Sequence, residues 1–144
     1  MPQSKLDLSP GTVLHIKDFS SRGHPSKNKY LIVIGSATET LILGFLISSQ
    51  MVYLERESHR NEVVRVPHNA TAFMRSESII QCFELERLSL DALCNGFEDG
   101  HVTRPGKLPI KYLHRIRQAV KDSKLLSQED IEVALRLLPV PTHE

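Results

Sequence analysis

Several things are scarce in this sequence, and each scarcity excludes something. Only two of the 144 residues are cysteines, Cys82 and Cys94. Two are too few for a disulfide framework, and they lack metal-ligand spacing, so they read as reduced thiols. No motif calls for a metal or a cofactor. The charge is nearly balanced, at a formal +1. That excludes a global field recruiting nucleic acid, so any such site must be a local patch. No apolar stretch reaches the ~18 residues of a membrane-spanning helix. Residues 1–9 are polar and lack the apolar core of a signal peptide. The expectation is a cytoplasmic protein with no membrane contact. The acceptor pattern Asn69-Ala70-Thr71, without a secretory signal, reads as coincidence. There is no internal repeat.

What is present is enough chain for one domain with a real core. It is organised around Lys29–Gln50. Tyr30-Leu31-Ile32-Val33-Ile34 is apolar, rich in β-branched residues, and ended by Gly35-Ser36. Thr40-Leu41-Ile42-Leu43-Gly44-Phe45-Leu46-Ile47 is a second such run, ended by Ser48-Ser49-Gln50. Both read as buried strands, and the short link Ser36–Glu39 predicts an antiparallel hairpin. Gly44 marks a bulge or sharp bend.

Around this pair the pattern predicts further strands. Thr12–Ile16 alternates, with Val13 and His15 on one side and Leu14 and Ile16 on the other. Met51–Leu54, Glu62–Val66 and Ser78–Phe83 are short strands, and strands at this spacing predict a small barrel. The period then changes. Ser89 suits a helix N-cap, followed by Leu90, Leu93, Cys94 and Phe97 at helical spacing, and Gly100 stops the helix. Pro105-Gly106 reads as a turn, and Pro109 suits the first position of a second helix. There Tyr112, Leu113, Ile116, Ala119 and Val120 share one face, while Lys111, His114, Arg115, Arg117 and Lys121 share the other. Ser127 starts a third helix, with Ile131, Ala134, Leu135 and Leu138 inward. The expected organisation is a tail over 1–9, a strand-rich body over 10–88, and a helical extension over 89–144 packed on it. The class is α+β, mainly β.

The polar loop 18–29 gathers Asp18, Arg22, His24, Lys27 and Lys29. Metal-free RNA cleavage needs a base for the 2′-hydroxyl proton, an acid for the leaving oxygen, and a cation to steady the phosphorane. His24 is the proton-transfer candidate, because imidazole changes charge near neutral pH. Arg22 and Lys27 are candidate RNA contacts. The plain alternative is a solvated basic loop. Lys111 and Arg115, on the helix over 109–122, read either as a phosphate-backbone contact or as the solvated face of a docked helix.

The strand-rich part resembles the PemK/MazF family of toxins from bacterial toxin–antitoxin pairs. The resemblance lies in Pro10-Gly11-Thr12-Val13-Leu14, a polar loop, Lys29-Tyr30-Leu31-Ile32-Val33-Ile34, Leu46-Ile47-Ser48-Ser49, and Ser78-Ile79-Ile80-Gln81-Cys82. It implies a small SH3-like antiparallel barrel, followed here by C-terminal helices outside the minimal family fold. It implies a homodimer, cleavage of single-stranded RNA without metal, and restraint by an antitoxin protein. By this resemblance Lys29 is the basic residue before the second strand, and Ser48 and Ser49 are the hydroxyl residues lining the site. Lys29 and Ser48 are then catalytic alongside His24, and Ser49 binds RNA. The sequence departs from the family where a charged pair is expected near the late strand, because Gln81 and Phe83 stand there. That departure favours a second reading, a non-catalytic SH3-like module binding protein or nucleic acid.

Overall fold

The structure, a computed structural model, describes residues 8–19, 27–49, 52–74 and 76–142. In chain order the elements are β1 (Thr12–Phe19), β2 (Lys27–Thr38), β3 (Leu41–Ser48), the single-turn helix α1 (Val52–Glu55) and a 3₁₀ turn (Arg60–Glu62). Then come β4 (Val63–Val66), β5 (Ser78–Gln81), β6 (Glu86–Ser89), α2 (Leu90–Asp99), β7 (Val102–Lys107), α3 (Ile110–Lys121) and α4 (Gln128–Leu137). The chain is α+β and mainly β, as the periodicity predicts. Among the described residues seven strands form one antiparallel sheet in the order β4-β5-β3-β2-β1-β7, and β6 also pairs with β3. The sheet is not closed, since β4 and β7 are its ends. Among the described residues no helix is long and apolar enough to cross a membrane.

The β2–β3 hairpin lies in the middle of the sheet, and both of its faces are covered. On β2, Ile32 and Ile34 enter a core shared with Phe45, Ile80, Tyr112, Ile116 and Ala134. Leu31 and Val33 enter a second core with Leu14, Ile42, Leu93 and Val102. A strand buried on both faces has no polar side to show, which is why this run is continuously apolar. Helices α3 and α4 cover the first face, and α2 covers the second.

Gly44 sits where β3 changes partner. Leu41–Gly44 pair with β6, whereas Ile47 and Ser48 pair with β5. A Cβ on Gly44 would stand 2.5 Å from the carbonyl oxygen of Ile32 and 2.5 Å from a Leu31 methyl. The carbonyl belongs to a fully buried residue in the middle of the sheet and cannot step aside. Gly44→Ala is therefore expected to cost about 1–3 kcal/mol, read as a lower urea midpoint. An unchanged midpoint would mean that β2 and β3 do not approach so closely here.

The helices fall where their caps place them. Ser89 Oγ accepts from Ala92 N at 3.3 Å, and Ser127 Oγ accepts from Asp130 N at 3.1 Å. Pro109 is the N-cap of α3, one place earlier than the sequence suggests. Besides a larger sheet, in which β1 and β2 run into the stretch 18–29 read as a loop and Glu86–Ser89 is a further strand, three features differ from the sequence expectation. First, residues 52–55 form a helical turn instead of a strand, and Arg60 Nε donates to Leu54 O at 3.0 Å to close it onto the 3₁₀ turn. Second, Pro105-Gly106, read as a turn within the helical extension, lies in a strand, Val102–Lys107, pairing with β1. The sheet therefore reaches past residue 88. β7 is an end strand, where the missing N–H of Pro105 is tolerated. Third, Arg117 is not on a solvated face. Its Nη1 donates to Leu135 O at 2.7 Å and Leu138 O at 3.1 Å, tying α3 to the end of α4.

Candidate nucleic-acid groove

In an antiparallel hairpin the start of one strand lies beside the end of the other. Here Tyr30 pairs with Ile47, so Lys29 at the head of β2 comes next to Ser48 at the foot of β3. The segment between β4 and β5 forms the other wall. Two turns shape it, with Ala70 N donating to Pro67 O at 3.0 Å and Met74 N to Thr71 O at 3.4 Å. Phe73 anchors it on β7, in the space that a Cβ on Gly106 would occupy at 2.8 Å from the ring. Met74 is buried in the main core.

The result is a groove of about 320 Å³. Lys27, Asn28, Lys29, Ser48, Ser49, Ser76 and Ser78 supply its polar lining, and Tyr30, Ile47, Phe73 and Met74 supply its apolar lining. Lys27 and Ser49 are exposed, while Lys29 and Ser48 are half-buried. Among the described residues no carboxylate forms an ion pair with either lysine. At its root Asn28 Oδ1 accepts from Asp18 N at 3.1 Å. Asp18 holds φ 54°, a left-handed conformation that Asp tolerates better than most residues. The groove offers two ammonium groups and several hydroxyls around an aromatic ring, a set suited to a phosphodiester chain.

The structure thus brings together Lys27, Lys29, Ser48 and Ser49. Arg22 and His24 lie outside the described residues. Lys111 and Arg115 do not line this groove. Both cations sit near the ring of Tyr112, at 5.4 Å and 5.3 Å from its centroid. Arg115 instead borders a separate cleft of about 990 Å³ with Arg60, Arg65 and Lys124. Of these, Arg65 is paired with Glu77 at 2.6 Å. The buried Glu62 accepts from Ser123 Oγ at 2.5 Å and from Lys124 N at 2.8 Å, pinning the α3–α4 turn to the 3₁₀ turn that leads into β4. Gln81 ends β5 opposite Val63, and Phe83 packs edge-on against His59 at 4.7 Å. Neither lines the groove.

Two groove features are not among the sequence candidates. Tyr30 lines the groove, and His15 lies directly across from it on β1, with ring centroids 4.7 Å apart and planes tilted by 50°. The one signal for them was an aromatic residue directly following Lys27 and Lys29. Among its described residues the lining holds no carboxylate and no imidazole. Nor is a thiol nucleophile at hand elsewhere in the core: burial, with Glu62 nearby, pushes the Cys82 thiol far up, which keeps it protonated and inert. No protein-family model matches the chain, and no curated protein matches it.

Proposed function

We propose that the protein binds single-stranded RNA in this groove and cleaves it without a metal ion, as a cytoplasmic PemK/MazF-like endoribonuclease. The observation that carries the reading is the meeting of Lys29 and Ser48, with Lys27 and Ser49 beside them, in one groove. In this reading a 2′-hydroxyl attacks the adjacent phosphorus and the 5′-oxygen leaves. Lys29 steadies the charge on the phosphorane, Ser48 and Ser49 donate to its oxygens, and His24 moves the proton. A homodimer and an antitoxin partner belong to the same reading.

The second reading, a non-catalytic binding module, is favoured by the lack of a carboxylate or imidazole in the described lining. One assay separates the two. A long unstructured RNA is incubated with the protein in EDTA, and binding of a labelled oligonucleotide is followed across salt concentrations in parallel. Cleavage is expected, with the binding constant falling against salt on a logarithmic slope of about −1.4 if Lys27 and Lys29 each neutralise one phosphate. Binding with that slope but no cleavage would favour the module. Lys111→Ala combined with Arg115→Ala should leave the slope unchanged, and a shallower one would extend the RNA track to α3.

A further inference from the structure

The groove holds an aromatic side chain that the core does not need. On β2 the alternation running back from Ile34 through Ile32, both fully buried, arrives next at Tyr30, which is 37 % exposed. Among the described side chains it is the only exposed Phe or Tyr. An aromatic residue more than a third exposed forgoes part of the burial that usually justifies one. This ring is held in place, because His15 packs against it from β1 and Ile47 faces it from β3. Just before it in the chain, Lys27 and Lys29 line the same groove. A fixed ring among phosphate-binding cations is the arrangement by which proteins hold unpaired bases.

We infer that Tyr30 is a stacking platform for an unpaired nucleobase, so that the groove selects a base-bearing single strand over a bare phosphodiester chain or a duplex. This rests on the RNA-binding reading and adds to it what the groove recognises. Lys27 and Lys29 read charge, which every polyanion carries. Tyr30 reads the face of a base, which a duplex keeps within its stack and an abasic strand lacks.

The test uses two single-stranded oligonucleotides of equal length and charge, one of uridines and one abasic throughout, with a duplex as a third ligand. Wild type should bind the uridine strand more tightly than the abasic one, by about 5- to 150-fold, the range for one stacked base. Tyr30→Ala should remove that preference while leaving abasic binding in place, and Tyr30→Phe should retain it. The protein contains no tryptophan, so Tyr30→Trp places a single indole in the groove. Its fluorescence should be quenched by the uridine strand and not by the abasic strand. Because Tyr30→Trp and Tyr30→Phe keep a ring against His15, the test survives if Tyr30→Ala folds poorly. Equal binding of both strands by wild type, or an unquenched indole in the bound complex, would overturn the platform and leave a charge-reading groove. Failure of every oligonucleotide to bind would overturn the RNA-binding reading as well, and would leave Tyr30 to a polypeptide partner.

Discussion

Lys29→Ala is expected to lower the rate of RNA cleavage in EDTA by ~10²-fold or more, the scale seen when one charge-stabilising donor is removed. Lys29 is half-buried, paired with Ile16 on β1 and one residue before the Tyr30–Ile47 pair of the hairpin. If Lys29 has the proposed role, a lysine whose backbone is fixed in this way starts close to where the charge develops. Lys27, exposed one position before Asn28, should contribute mainly to binding. The informative comparison is therefore between the two alanine variants at saturating RNA. A large fall for Lys29→Ala with a small one for Lys27→Ala is expected. Equal rates for wild type and Lys29→Ala would refute the role given to Lys29.

Ile116→Ala is expected to destabilise the whole protein by about 2–5 kcal/mol, with one unfolding transition for sheet and helices alike. Ile116 is fully buried on α3, in the same core as Phe45 of β3 and Ile80 of β5. The cavity left by its methyl groups would open between helix and sheet; Arg117 ties α3 to the end of α4, and Glu62, just before β4, holds the turn between those helices. Urea unfolding followed by far-ultraviolet circular dichroism and by tyrosine fluorescence checks this. Two separated transitions would mean that residues 89–144 form an independent module.

The parts of the fold legible in the sequence are those in which local pattern and tertiary role agree. The continuous apolar runs of β2 and β3 are continuous because both faces are buried, and Gly44 stands where β2 and β3 approach too closely for anything larger. Ser89 and Ser127 start helices as their side chains dictate. What the sequence hides is set by distant partners. Pro105-Gly106 has the chemistry of a turn, and only its place at the end of the sheet, against β1, makes it a strand. Val52–Leu54 has strand composition but forms a helical turn, closed by Arg60 from beyond it. The same division holds at the groove. Lys29 and Ser48 stand at strand ends that a hairpin must bring together, so they are readable. Tyr30 and His15 meet through the β1–β2 register, and Phe73 reaches the groove only because β7 offers Gly106 as a seat. No local pattern encodes those meetings.

The pairing of β1 with β7 also bears on how the chain is made. Val13 finds Gly106 only after almost the entire sheet-forming sequence has been synthesised. Until then one side of β1 is an unpaired strand edge, a template onto which another chain can add. Closing so long a loop is among the slower contacts to form. A nascent or truncated chain ending before Val102 is therefore the form most prone to aggregate, and in the finished protein it is the proline-bearing β7 that covers that edge.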